Sequence, residues 1–198
     1  MTNKKALKSI SYWGNVEYYC QFLNDDKCAQ ILLDETFPKQ TMRNACEILG
    51  ANGIIRLTIP VEGRSKNEKS SRIFTQNNNW QRAHLQSIQS AYANAPYFDY
   101  YIDDVHKFYS EIKTQNSLKE IALLNIEYCL KWLKLNLSLQ TESNFEKGKD
   151  SELRLRFKSN KKNKNFTEYY QTFSDRYKFE ANLSILDLVF NLGPESLT

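Results

Sequence analysis

The chain has 198 residues, a length that favours one domain with a core large enough to fold without disulfide bonds. Its net charge of +4 is mild, so we do not expect a nucleic-acid partner. No stretch approaches the ~18 apolar residues of a membrane span, and the N-terminal residues lack the apolar segment of a secretion signal. We therefore expect a cytoplasmic protein with reduced cysteines.

The first elements predict a β-α-β unit. "KSISYW" is a strand candidate, "NVEYYCQFLND" has apolar residues at helical spacing, and "CAQILLDE" is an apolar run typical of a buried strand. Asp34 and Glu35 end that second strand. Ligands bind at the carboxyl ends of strands in open α/β sheets, so both carboxylates are candidate site residues.

A β-hairpin is predicted next. Asn52-Gly53 separates two stretches in which apolar and polar residues alternate, which is typical of a hairpin with a type I′ turn. Before it, "FPKQTMRNACEILGANG" holds Lys39, Gln40, Arg43 and Asn44 close together. These side chains suit a phosphate or carboxylate, and we expect residues 39–44 to line a pocket at the end of "QILLDE". The alternative is a solvated loop whose amides bond the hairpin backbone.

Three helices and a strand follow. They are "NNNWQRAHLQSIQSAYANA", "YFDYYIDDVHKFYSEI", "SLKEIALLNIEYCLKWLKL" and "NLSLQT". We predict an α/β fold: a single domain over residues 1–198, with the β-α-β opening, the hairpin added to a central mixed sheet, and several flanking helices. The polar stretch Glu142 to Lys164, with six cations between Arg154 and Lys164, is expected to be less ordered.

The last predicted helix runs from Ile185 to Asn191, with Ser184 as N-cap and Gly193 just beyond its end. Asp187 stands three residues after Ser184, which suits a capping-box variant. The alternative is a functional carboxylate that points toward Lys39 or Arg43.

His84 is a candidate general base, because it is one of two histidines. Its neighbours on the helix stripe, Trp80 and Ile88, favour instead a half-buried structural histidine. We expect it to face the pocket of residues 39–44. "PYFDYY", which includes Tyr97, is either a sugar-stacking surface or a helix start packed on the core.

No signature of a known catalytic motif or metal site is present. The cysteines form no CxxC pair and have no histidine at ligand spacing, so no metal is predicted and the cofactor is unassigned.

Three long segments resemble the WbqC-like protein family. They are "FPKQTMRNACEILGANGIIRLTIPV", "NWQRAHLQSIQSAYANAPYFDYYIDD" and "YYQTFSDRYKFEANLSILDLVFNLGPESL". Three places depart from the family pattern. Gly14-Asn15 stands where the opening strand of the family leads into a Pro-containing turn. Ala45 replaces a cation, and "SNKKNK" replaces the Pro-Lys expected after Leu153-Arg154.

The resemblance implies a role in O-antigen or other surface-polysaccharide biosynthesis. It implies a transferase that adds a glycyl or other acyl group to a nucleotide-linked or lipid-linked sugar. Substrate-binding residues would be Lys39, Gln40, Arg43, Asn44, Asn52, Tyr97, Arg154 and Asp187, and proton acceptors would be His84, Asp34 and Glu35. The alternative is a non-catalytic sugar- or nucleotide-binding module of such a pathway.

Overall fold

The computed structural model describes residues 7–33, 42–61, 79–115, 117–142 and 166–196. The predicted site residues Asp34, Glu35, Lys39, Gln40 and Arg154 lie outside these ranges, as does nearly all of the polar stretch 142–164. The expectations for them therefore stay predictions.

The described residues form five strands and five α-helices. The strands are β1 (Leu7–Ser9), β2 (Cys28–Leu32), β3 (Ala45–Gly50), β4 (Gly53–Thr58) and β5 (Ser138–Glu142). The helices are α1 (Val16–Cys20), α2 (Asn79–Tyr92), α3 (Phe98–Glu111), α4 (Leu118–Trp132) and α5 (Ile185–Leu192). Short 3-10 turns follow α1, α3 and α5 at Gln21–Asn24, Ile112–Thr114 and Gly193–Glu195.

Strands β1, β2 and β5 form a parallel sheet with β2 in the centre, where Leu7 pairs with Gln30 and Cys28 pairs with Ser138. This confirms the predicted β-α-β opening and the α/β class. Strands β3 and β4 pair with each other antiparallel, and in the described residues they form their own two-stranded sheet instead of joining the parallel one. The reason is burial: β3 is buried on both faces and packs against α2 and α5.

The hairpin is present, but its turn differs from the type I′ turn that the sequence predicted. Gly50 pairs with Gly53, so Ala51 and Asn52 form the loop. Only Gly53 has positive φ, at 104°, whereas a type I′ turn requires it at both central residues. The observed pattern matches a turn followed by a glycine bulge, which Gly53 permits because it has no Cβ.

The loop after β1 is fixed in the core by aromatic packing. Trp13 stacks on Trp132 of α4, with ring centroids 5.6 Å apart, and meets Phe108 of α3 edge-on. The Trp13 backbone has a φ of 41°, uncommon for a residue with a side chain. Asn125 Oδ1 accepts from the Trp13 N–H at 2.8 Å, and Ser184 Oγ donates to the Trp13 carbonyl at 2.8 Å, which holds this conformation.

Helix α5 matches the sequence prediction closely. It begins at Ile185 after the Ser184 N-cap, whose Oγ accepts from the N–H of Leu186, and it ends before Gly193 with φ 67°. The helix is buried on nearly all sides. In the described part of the chain, no helix is long and apolar enough to cross a bilayer.

Candidate acid–base site

The beginning of β3 carries the polar residues that the sequence marked. Arg43 and Asn44 are buried, with 5% and 7% of their surfaces exposed. Asn44 Nδ2 donates to the Ile59 carbonyl at 2.9 Å, and the Asn44 carbonyl accepts from the Ile59 N–H at 2.7 Å. Asn44 therefore links the two sides of the hairpin at its open end. This is the alternative given above, in which the amide side chains bond the hairpin backbone. Arg43 is also engaged by a partner and does not point into solvent.

His84, on α2, lies in a chain of hydrogen bonds inside the core. Its Nδ1 is 2.9 Å from the hydroxyl of Tyr12, which is 2.6 Å from the hydroxyl of Tyr109 on α3. The indole Nε1 of Trp13 donates to the same Tyr109 hydroxyl at 3.4 Å. The chain therefore joins the β1–α1 loop to two helices and ends on the imidazole.

Burial sets the protonation state of His84. Desolvation lowers the pKa of its imidazole from 6.5 to about 4, and the backbone of Thr58 opposes this only weakly. The ring is neutral at pH 7, so it retains a lone pair that can accept a proton. The edge of Trp80, 5.2 Å away between centroids, covers one side of the ring and contributes to its dehydration.

The two phenols are also neutral at pH 7. Burial raises the pKa of Tyr12 well above its usual value, with a further increase from Tyr109 next to it. A phenol hydroxyl can donate one hydrogen bond and accept another, so Tyr12 can bond the imidazole and the Tyr109 hydroxyl at the same time. The hydrogen-bonded chain therefore holds the orientation of the neutral imidazole without a buried charge.

The hydrogen-bonded chain lies beside the start of the hairpin. The Tyr12 N–H donates to the Met42 carbonyl at 3.2 Å, and Ser11 Oγ donates to the same carbonyl at 3.1 Å. Met42 immediately precedes Arg43 in the sequence. His84 is 6% exposed, so it is more buried than the sequence suggested, but its Nδ1 partner is a side chain and not the backbone.

Asp187 is a buried carboxylate that contacts neutral donors. Its oxygens accept from Tyr92 Oη at 3.1 Å, Tyr169 Oη at 2.7 Å and Gln171 Nε2 at 2.9 Å. The capping-box prediction is wrong for this side chain, because the Ser184 N–H donates to the Glu47 carbonyl instead. In the described residues no cation contacts it. Burial raises the pKa of the carboxyl, while the three hydrogen bonds work in the opposite direction.

Two further predicted residues lie elsewhere. Asn52 is exposed at the hairpin tip, separated from Arg43 by the length of β3, about 20 Å for its six residues at ~3.3 Å each. Tyr97 is the N-cap residue just before α3, and it donates its N–H to the Phe190 carbonyl. Neither belongs to the His84 chain of hydrogen bonds.

Sequence reasoning missed Tyr12 and Tyr109, whose partners are distant in sequence. No local pattern marks either residue, because Tyr109 reads as one apolar position of α3 and Tyr12 as part of a strand. The four cysteines, all within the described residues, form no disulfide bond: Cys20, Cys28, Cys46 and Cys129. Within the described ranges, no group of three or more histidine, cysteine or acidic residues is arranged to hold a metal ion.

These features define an α/β protein with a buried histidine–tyrosine chain at the junction of hairpin and helices. Residues 12–160 match the model of the WbqC-like protein family, and the chain belongs to that family. The matched range includes Tyr12, His84 and Tyr109, and it ends before Asp187. No curated protein and no solved structure matches the chain.

Proposed function

We propose that this protein is a cytoplasmic transferase of O-antigen or other surface-polysaccharide biosynthesis, with residues 1–198 forming one WbqC-like domain. It adds a glycyl or another acyl group to a nucleotide-linked or lipid-linked sugar. The observation that carries this proposal is the neutral His84 imidazole, held by the Tyr12 hydroxyl at 2.9 Å. Family membership supports the pathway.

The proposed reaction is attack of a sugar amine or hydroxyl on the carbonyl carbon of an activated acyl donor. The new bond forms from the sugar nitrogen or oxygen to that carbon, and the bond from the carbon to the leaving group breaks. His84 accepts the proton of the attacking group and returns it to the leaving group. Tyr12 and Tyr109 keep the imidazole oriented and spread the transient positive charge along their hydrogen bonds.

The remaining predicted residues serve binding in this proposal. Arg43, with Lys39, Gln40 and Arg154, holds a phosphate or carboxylate of donor or sugar. Asn44 fixes the strand on which Arg43 stands. Asp34 and Glu35, which follow β2 in the sequence, are the alternative proton acceptors.

The test is a substrate screen followed by one substitution. Thermal shift against nucleotide sugars, glycyl donors and acyl donors identifies ligands, and mass spectrometry detects an acylated sugar. His84→Gln should lose turnover by about 100-fold or more while keeping ligand affinity. His106→Gln is the matched control, because His106 is exposed and its one side-chain hydrogen bond within the described residues is to Gln89. Equal turnover in both variants would exclude His84 as the proton acceptor.

A second function is favoured by one observation. With 6% exposure and a pKa of about 4, His84 is a weak base in a closed site. This suits a non-catalytic module that binds a sugar or nucleotide within a pathway complex. Ligand binding without any acylated product in the same screen, for the wild type as for His84→Gln, would support the module and exclude the transferase.

A further inference from the structure

A small cavity lies between α3 and α4, away from the start of the hairpin. Its volume is about 250 Å³, and its walls include Tyr100, Asp103 and Asp104 of α3, Trp132 at the end of α4, and Lys134 just beyond that helix. We call it the α3–α4 pocket. It shares no lining residue with the chain of hydrogen bonds around His84.

One wall of the α3–α4 pocket is the aromatic ring of Tyr100, which is not packed into the core. Tyr100 is 73% exposed, although its neighbour Tyr101 is buried in the core. The Tyr100 ring contacts Tyr101 edge-on at 4.7 Å, which orients it without covering it. An exposed, oriented phenol presents a flat apolar face with a polar end, a combination common at binding surfaces.

A second wall is a carboxylate whose position is fixed. Asp104 Oδ2 accepts from the Trp132 indole at 2.8 Å and from Lys131 Nζ at 3.3 Å. Trp132 is itself held by its stack on Trp13 in the core. The carboxylate is therefore positioned before any ligand arrives, and its other oxygen stays available as an acceptor.

Two further charged side chains that line the pocket are Asp103 and Lys134. Within the described residues, the structure gives no side-chain hydrogen bond or ion pair to Asp103 or to Lys134. Asp103 offers acceptors and Lys134 offers donors, so together they suit hydroxyl groups, which both donate and accept.

The charge and the volume of the α3–α4 pocket limit the class of ligand that it can bind. Two carboxylates at the pocket repel a phosphate, and the two lysines that line it leave no net positive charge to attract one. The volume is below the ~300–1,000 Å³ of pockets for drug-sized ligands, so a whole nucleotide sugar does not fit. A single uncharged sugar ring has the required size, hydroxyl groups and a C–H face for Tyr100.

We propose that the α3–α4 pocket binds one pyranose ring of a sugar, with Tyr100 stacked on the ring and Asp103, Asp104 and Lys134 bonded to its hydroxyl groups. This goes beyond the proposed function, because the pocket binds the sugar whether or not His84 catalyses a reaction. In a transferase it would anchor the glycan that carries the acceptor group. In an accessory module it would be the binding site itself.

The test is saturation-transfer difference NMR on the full chain with glucose, galactose and N-acetylglucosamine, one at a time and without any donor. We expect millimolar binding of at least one sugar, with the strongest saturation on one face of the ring. Tyr100→Ala should weaken this binding about tenfold, whereas Tyr100→Phe, which keeps the ring, should stay close to the wild type. Asp103→Asn should weaken it as well.

The control is Tyr170→Ala, since Tyr170 is a comparably exposed tyrosine, at 55%, that does not line the pocket. Circular dichroism of each variant excludes unfolding. The absence of binding by all three sugars, or equal binding in Tyr100→Ala and Tyr170→Ala, would overturn the assignment. Preference for glucose 1-phosphate or for glycine over the plain sugars would overturn the uncharged-ring chemistry. A negative result here leaves the His84 turnover test unaffected.

Discussion

At the scale of single residues, burial moves two titratable groups in opposite directions. Dehydration lowers the pKa of the His84 imidazole, because its charged form is the acid. The same effect raises the pKa of the Asp187 carboxyl, because its charged form is the base. Both groups therefore favour their neutral forms in the folded protein, and each makes the stability depend on pH.

His84 should make the fold less stable in acid. Its folded pKa of about 4 lies below the unfolded value of 6.5, so the unfolded chain binds more protons and stability falls as pH falls through this window. Between pH 7.5 and pH 5 the loss is about 2 kcal/mol. Urea denaturation at both pH values should show this loss in the wild type and a smaller one in His84→Gln. Equal losses in the two proteins would contradict the pKa shift.

Asp187 should act with the opposite sign. In the folded protein the pKa of the Asp187 carboxyl is raised above 3.8, so between the unfolded and the folded pKa the folded protein binds more protons than the unfolded chain. The contribution of this carboxyl to stability is therefore largest at a pH below 3.8, and it falls as the pH rises through the folded pKa. Asp187→Asn removes this pH dependence while keeping the size of the side chain. Its one amide oxygen can accept either from Tyr92 or from Tyr169 and Gln171, which bond different carboxylate oxygens, so the variant also has a loss of stability that does not depend on pH. The stability difference between variant and wild type should shift toward the variant from pH 4 to pH 7, as measured by urea denaturation. A pH-independent difference would show that the carboxyl titrates normally.

The burial and the hydrogen-bond partners of single side chains could be predicted only in part from the sequence. The helical stripe of Trp80, His84 and Ile88 indicated burial of the imidazole, since period and burial are linked in helices. Its hydrogen-bond partner could not be predicted, because Tyr12 lies 72 positions away. For Asp187, spacing from Ser184 suggested a cap, but three neutral donors from other segments outcompeted the local bond.

At the scale of elements, local sequence signals predicted the helices and strands. The ends of α5 and the turn of the hairpin show what such signals can and cannot predict. Ser184 and Gly193 marked both ends of α5, since capping is decided within a few residues. The hairpin was predicted as well, but not its turn, because several turn types accept Asn-Gly. The pairing of the hairpin outside the parallel sheet depends on which helices cover β3, and no local pattern contains that information.

Two glycines with positive φ allow a matched comparison. A Cβ at Gly193 would lie 2.5–2.7 Å from carbons of the Tyr97 ring, whereas a Cβ at Gly53 would meet no atom within 4 Å. Gly53→Ala should therefore cost only backbone strain, about 1–2 kcal/mol. Gly193→Ala should cost about 1–3 kcal/mol more, because Tyr97 must also move. Thermal or urea unfolding of both variants measures the difference.

The ring contact at Gly193 can be tested directly. Adding Tyr97→Ala to Gly193→Ala should recover the steric part of the loss, since the clashing ring is then absent. Adding Tyr97→Ala to Gly53→Ala should recover nothing. Strict additivity in the first pair would mean that Tyr97 does not oppose the new methyl group.

At the scale of the whole molecule, the C-terminal segment lies outside the family match but inside the core. The match ends at residue 160, whereas α5 packs against α1, α3 and β3. The Ser184 N–H donates to the Glu47 carbonyl at 2.8 Å, and the Ile185 N–H donates to the Gly14 carbonyl at 2.8 Å. One segment therefore joins the hairpin to the loop that carries Tyr12 and Trp13.

Removing residues 183–198 should unfold the protein. The helix and the segment just before it place six large apolar side chains in the interior: Leu183, Ile185, Leu186, Leu188, Val189 and Phe190. At about 1.5–3 kcal/mol each, they contribute roughly 10 kcal/mol, as much as the net stability of most domains. The shortened chain should show no cooperative transition by calorimetry and weak near-UV circular dichroism. Its control is removal of residues 197–198 alone, which removes no residue of α5 and should unfold like the full chain. Cooperative melting of the shortened chain within a few degrees of this control would show that the domain folds without α5, and that the matched residues suffice on their own.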